Sequence, residues 1–230
     1  MKSKLIYNIR IIIRVLIGHY FKLYKFVFQA KNNEDDLLFS AYTDVVIEGF
    51  PRAGNTFFVL AFQERCSQDL KIAHHVHLTC QIKEAIKHNV PTIVLIRDPI
   101  NAILSLKIRE PKIYFIVAYV WYLFFYTYVL KNKNHVEIKD FSTFTNDYSN
   151  INAHGFIFKK SEKISAEKIF KKISEINKKD SNKYTDDQYS ISLPNIHKKI
   201  IKNNLQTEIP RDSYIAKKCQ RLYKKIINGV

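Results

Sequence analysis

One short stretch restricts the fold of this chain more than any other. Asp44-Val-Val-Ile-Glu-Gly49 is a β-branched run ending on glycine, and the turn Phe50-Pro51-Arg52-Ala53-Gly54 follows at once. From Asn55 the apolar period lengthens to that of a helix, with Phe57, Phe58, Ala61 and Phe62 on one face. A buried strand, a glycine-bounded turn and a helix in that order belong to α/β proteins. Pro91-Thr-Ile-Val-Leu-Ile96 is a second buried strand, after which Asp98 and Pro99 open a helix as N-cap and first helical residue. His135-Val-Glu-Ile138 reads as a third strand, and residues 71–78 as an extended segment. Strands alternating with helices predict a three-layer α/β domain, with a mostly parallel sheet and helices on both faces. Further helices are expected over 80–88, around 164–176, over 195–204 and over 212–227, with a polar loop at 178–188.

Composition bounds the alternatives. A chain of 230 residues, 47% hydrophobic and 25% charged, is an ordinary globular chain with ample core. Five glycines argue against a glycine-rich repeat or a turn-rich all-β sandwich. Cys66, Cys80 and Cys219 are odd in number and scattered, which makes neither a disulfide framework nor a zinc ribbon. They point to a reducing, cytoplasmic setting. The net charge of +16 is the one extreme value, and it is unevenly placed. Residues 1–30 hold six basic and no acidic side chains, residues 31–155 thirteen of each, and residues 156–230 eighteen basic against eight acidic. Such flanks attract polyanions of any kind, and charge alone does not choose among nucleic acid, anionic lipid and nucleotides. An abundance of lysine, isoleucine and asparagine also fits a compositional bias with no function behind it.

Two apolar stretches bear on membranes. Residues 5–28 are interrupted by Arg10, Arg14, Lys22 and Lys25, too many charges for a spanning helix. The spacing predicts a basic helix lying on a surface, either a membrane or the protein's own core. Residues 1–38 are therefore set apart as an N-terminal helical segment, and 39–230 as the main domain. Residues 113–130 are free of charge and long enough to span, yet Tyr114, Tyr119, Trp121, Tyr122, Tyr126 and Tyr128 supply polar handles that suit a buried helix.

The first turn carries chemistry. Gly49-Phe-Pro-Arg-Ala-Gly54-Asn-Thr56 has the spacing of a P-loop and its trailing hydroxyl, but Asn55 stands where the P-loop lysine belongs. Backbone N–H groups converging at the positive end of a helix bind phosphate or sulfate, and the cation is displaced into the turn at Arg52. GFPRAGNTF resembles the 5′-phosphosulfate loop of sulfotransferases that use 3′-phosphoadenosine-5′-phosphosulfate, in which the basic residue follows the proline directly. Arg97-Asp98-Pro99 with Ser105 eight residues after Arg97 resembles the same family's 3′-phosphate motif. The likeness covers roughly residues 44–130, including the helix with a central tryptophan. Ser192-Leu-Pro194 followed by Lys198 is a weaker likeness to a late segment that returns over the nucleotide. Lys139 stands where the family often has an acid after the third strand, and a glycine-rich Arg-Lys-Gly loop is absent.

The resemblance implies an enzyme moving a sulfuryl group from that nucleotide to a hydroxyl or amine acceptor. A glycan, a lipid-linked glycan, a phenol or a metabolite are all compatible acceptors. Arg52 and the N–H groups of Ala53, Gly54, Asn55, Thr56 and Phe57 would hold the 5′-phosphosulfate, and Arg97 with Ser105 the 3′-phosphate. Lys198 would close over the nucleotide. No metal and no nucleic-acid partner are expected, and peripheral contact with an anionic membrane stays open beside packing on the protein's own core. A P-loop kinase or hydrolase, or a polyanion- or membrane-binding protein without catalysis, are the competing readings.

A proton acceptor is sought in Lys71-Ile-Ala-His74-His75-Val-His77-Leu78. A histidine near its ordinary pKa suits general-base work near neutral pH. The resemblance favours His77, where the family has a His-Leu-Pro-like segment. If the segment is extended, His75 shares a face with His77 and is the runner-up, and His74 points away.

Overall fold

The computed structural model describes residues 2–28, 37–158, 166–179 and 196–229. Its centre is a four-stranded, all-parallel sheet of β1 (Val45–Gly49), β2 (Ile72–His74), β3 (Thr92–Ile96) and β4 (Glu137–Asp140), in the spatial order β2-β1-β3-β4. Ile47 pairs with both His74 and Ile93, and Leu95 with Lys139. The side chains of β3 alternate faces as a pleated strand requires. Val94 and Ile96 enter one apolar cluster, whereas Ile93 and Leu95 join Val45 and Ile47 of β1 in another. Both faces are therefore covered, and the fold is a three-layer α/β arrangement.

The first face carries α1 (Lys2–Ile17), α2 (Phe21–Phe28), α4 (Thr79–Lys87), α5 (Pro99–Arg109), α6 (Phe115–Lys131), α9 (Ile196–Glu208) and α10 (Tyr214–Asn228). The second carries α3 (Asn55–Arg65), α7 (Phe141–Asn146) and α8 (Ala166–Lys179), with Phe58, Phe62, Phe144, Ile169 and Ile173 buried between them. Asp98 caps α5 by accepting from the Asn101 N–H at 2.9 Å, with Pro99 at the first helical position.

Three elements differ from expectation. The strand expected at 135–138 begins two residues later, after a short 3₁₀ turn at Lys133–His135. The extended segment stops at His74, because His75 and His77 take left-handed backbone angles (φ 66 and 59). The N-terminal apolar run is two helices, broken at Gly18. A Cβ there would lie 2.5 Å from the Leu78 side chain, and the Gly18 carbonyl accepts from the Cys80 N–H at 3.0 Å. The polar loop expected at 178–188 lies outside the described residues from 180 onward.

The helix expected at 113–130 is α6, with Tyr119, Tyr122, Phe125 and Tyr126 fully buried. No helix among the described residues is long and apolar enough to cross a membrane. The inner face of α1 packs on α6. Val15 is buried there with Tyr24 of α2, and Asn8 bridges two backbone groups, donating to Lys112 O at 2.9 Å and accepting from Tyr114 N at 2.7 Å. Replacing Asn8, which is 2% exposed, with alanine strands both partners. The Asn8→Ala chain should lose about 2–3 kcal/mol in urea unfolding. A loss indistinguishable from zero would mean that the α1 docking contributes nothing to the fold.

Candidate functional site

In a parallel sheet, ligands bind beyond the carboxyl ends of the strands, where successive connections leave in opposite directions. Here that point lies between β1 and β3. The chain leaves β1 for β2 on one side and returns to β3 on the other. The loop after β1 and the Arg97 turn after β3 both emerge there.

The loop is built around unusual backbone. Arg52 has φ 72 and Gly54 φ 91, both left-handed. Gly54 also has no room for a side chain, since a Cβ would come within 2.9 Å of Phe141 and Phe144. Ala53 N donates to Phe50 O at 3.1 Å, closing the turn. Asn55, at the place of a P-loop lysine, faces inward. Its Nδ2 donates to Phe50 O at 3.1 Å, so it staples the loop. Gly54, at the N-cap of α3, offers no side-chain cap. The first N–H groups of a helix have no acceptor within it, so those at the start of α3 face the loop mouth. Ala53 and Phe57 are buried, and Thr56 is half-buried.

The two sequence motifs meet directly. Arg52 Nε donates to Ser105 Oγ at 3.0 Å, and Arg97 Nη1 donates to the Arg52 carbonyl at 2.9 Å. The Arg97 guanidinium lies 4.0 Å from the centroid of the Phe141 ring. Burial draws the Arg52 pKa down to about 10, with Arg109 and Arg97 adding to the effect. Burial also lowers that of Arg97. Two further guanidinium groups thus bear on that of Arg52, an environment that an anion relieves. The hydroxyls of Tyr122 and Tyr126 on α6 fix the strand ends by donating to Arg97 O at 2.9 Å and Leu95 O at 2.7 Å.

The histidines form one cluster beside this loop. Thr56 Oγ and His75 Nε2 are 2.9 Å apart, and the Nδ1 atoms of His74 and His75 hydrogen-bond each other. The rings of His75 and His77 meet edge-to-face at 5.7 Å. His74 therefore does not point away from the other two, and His75 and His77 are joined by a left-handed turn rather than by a shared strand face. His77 Nδ1 lies 2.8 Å from the Gly49 carbonyl. A carbonyl only accepts, so Nδ1 holds the proton and Nε2 keeps the lone pair.

What holds this turn is a carboxylate. Glu48, fully buried within β1, accepts from Val76 N at 2.8 Å, His77 N at 2.9 Å and Gln81 Nε2 at 2.9 Å. Burial raises its pKa to about 7 against those bonds. Trp121 Nε1 donates to His77 O at 3.1 Å, and Arg14 to Val76 O at 3.2 Å. Among the described residues no cluster of histidine, cysteine or carboxylate groups suits a metal ion.

Sequence reasoning missed Glu48, Arg109, Phe141 and Lys202. Glu48 left a signal, an acid inside an otherwise apolar strand. Lys202 donates to Asn101 Oδ1 at 2.9 Å, and Arg97 helps to lower its pKa after burial. It lies one helical turn beyond Lys198, whose position is on α9 but whose side chain is outside the described residues, as are Ser192 and Pro194. Lys139 pairs with Glu137 at 2.7 Å on β4.

No protein-family model, curated protein or solved structure matches this chain significantly.

The cluster makes stability pH-dependent. Burial lowers the pKa of His77 to about 3, of His74 to about 4, and that of His75 well below the usual 6.5. Below about pH 6.5 the unfolded chain binds protons that the folded chain refuses, so this contribution is complete above that pH and is lost on acidification. Glu48 acts oppositely, its contribution being lost as pH rises through about 7. Three imidazoles outweigh one carboxyl, so the calorimetric unfolding midpoint should fall as pH drops from about 6.5 to about 4.5. A flat or rising midpoint over that interval would show the histidines to be solvated.

Proposed function

We propose that the protein is a sulfotransferase that takes 3′-phosphoadenosine-5′-phosphosulfate as donor and sulfates a hydroxyl or amine acceptor. The observation that carries this reading is the direct joining of two motifs distant in sequence. Arg52 of the loop bonds Ser105, and Arg97 bonds the loop backbone, at the carboxyl edge of the two central strands.

The chemistry asked of the protein is positioning and neutralisation of charge. Arg52 and the N–H groups of Gly54, Asn55, Thr56 and Phe57 hold the phosphosulfate group, that of Ala53 being spent on Phe50 O inside the turn. Arg97 and Ser105 hold the 3′-phosphate, with the adjacent Lys202 adding positive charge. On transfer, the acceptor oxygen forms its bond to sulfur, the bond from sulfur to the phosphate oxygen breaks, and adenosine 3′,5′-bisphosphate leaves. The acceptor's proton goes to a base. His77 fills that role in this proposal, because its Nδ1 is committed to Gly49 O and its Nε2 keeps the lone pair. Burial makes it a weaker base than a free histidine, and the anionic donor beside it offsets that by favouring the imidazolium. His75, bonded to Thr56, orients the hydroxyl beside the transferred group.

Two variants separate binding from chemistry. Arg97→Ala should weaken adenosine 3′,5′-bisphosphate by about 1.5–3 kcal/mol more than adenosine 5′-monophosphate, which loses only what the guanidinium contributes by bracing the loop. His77→Ala should reduce sulfation of a screened acceptor on the order of 100-fold while donor affinity is retained. Equal losses for both nucleotides on Arg97→Ala would remove the 3′-phosphate assignment. Turnover surviving in His77→Ala but collapsing in His75→Ala would move the base to His75.

A further inference from the structure

The inner side of α1 is used up in packing on α6, but its outer side is not polar. Leu5, Ile6, Ile9, Ile12, Ile13 and Leu16 are all between 40% and 56% exposed. At 100° per residue these six fall on one arc of about 120°, opposite the inward-packed Tyr7 and Ile11, and they run about 16 Å along the helix. After the break at Gly18, Tyr20 in the turn and Leu23, Val27 and Phe26 on α2 are exposed as well, Phe26 to 80%. A monomeric protein rarely leaves so many large aliphatic and aromatic side chains together in water. Packing the helix onto the core should have removed its apolar residues from solvent. Six of the ten large apolar residues of α1 stay exposed instead.

We infer that this outer face of α1 and α2 docks the protein onto an anionic lipid surface. The charge around the patch selects that occupant. Residues 1–30 carry six basic side chains and no acid, and Arg10, Lys22 and Lys25 are exposed beside the aliphatic face. A second copy of the chain meeting the same face about a two-fold axis would set this cationic rim against itself, which opposes association. An anionic bilayer takes the aliphatic side chains into its headgroup boundary and pairs the cations with lipid phosphates. The helices lie in the interface and do not cross it, consistent with the absence of any helix among the described residues long enough to span. This inference stands apart from the nucleotide reading and needs none of the residues assigned there.

The full chain should co-sediment with vesicles of phosphatidylcholine mixed with phosphatidylglycerol, and far less with phosphatidylcholine alone. Raising salt well above physiological strength should release it. Ile9→Asp with Ile13→Asp, both on the exposed face, should abolish sedimentation while circular dichroism and the unfolding midpoint stay as in the parent. Ile9→Asn with Ile13→Asn is the milder pair should the acidic one fail to fold. Arg10→Gln, Lys22→Gln and Lys25→Gln together should weaken binding to the mixed vesicles roughly 100-fold. Failure of the parent chain to sediment with anionic vesicles would overturn the inference. So would retention of binding in both isoleucine pairs, or a concentration-dependent dimer that those pairs dissolve, which would assign the face to self-association.

Discussion

The hydrogen bond from the Arg97 guanidinium to the Arg52 carbonyl ties the end of β3 to the loop after β1, and the rest of the site depends on it. Arg52 sits in the left-handed region, which costs a non-glycine residue on the order of 1–3 kcal/mol. A hydrogen bond from a charged donor returns about 1.5–3 kcal/mol. The bond from Arg52 Nε to Ser105 adds a second hold from α5. The strained conformation is therefore maintained by groups on the neighbouring strand and helix, and the loop N–H groups stay aimed at its mouth without a ligand. Phe141 and Phe144 crowd Gly54 so closely that no Cβ fits there.

A second constraint, independent of the first, places the histidines. Among the described residues four non-glycine residues have left-handed φ, and three of them are Arg52, His75 and His77. Backbone strain gathered at one place marks a site whose geometry is held for a purpose. For the histidines the hold is Glu48, which takes the N–H groups of Val76 and His77 from inside the sheet. An ionisable group in a strand core is retained at a cost of several kcal/mol in desolvation unless its bonds are well made. Here those bonds bend the chain back over β1 and deliver His77 to the Gly49 carbonyl. The loop and the histidine turn are thus anchored on consecutive residues of one strand.

The sheet, its parallel sense and most helices were legible because local chemistry and tertiary environment agree. Buried parallel strands are continuous β-branched runs, and 45–49 and 92–96 are such runs. The spacing of Arg97 and Ser105 was legible for the same reason, since a capped helix fixes how far apart they stand. The histidine segment misled because alternation was the only local signal, and Glu48, a distant group, overrides it. Arg109, Phe141 and Lys202 left no local pattern at all. They reach the site through packing of α5, α7 and α9, which sequence spacing does not encode. The break in the N-terminal run was hidden in the same way, for Gly18 is needed only because Leu78 crosses there.

The central claim is that the loop after β1 and the Arg97 turn form one site for a nucleotide carrying phosphates at both ends. Calorimetric titration of the full chain with adenosine 3′,5′-bisphosphate, in the presence of a metal chelator, tests it most directly. The account predicts saturable binding without magnesium, tighter than that of ATP by about tenfold or more, a difference of ~1.4 kcal/mol or above. No binding of the bisphosphate, or binding of ATP that appears only with magnesium, would contradict it.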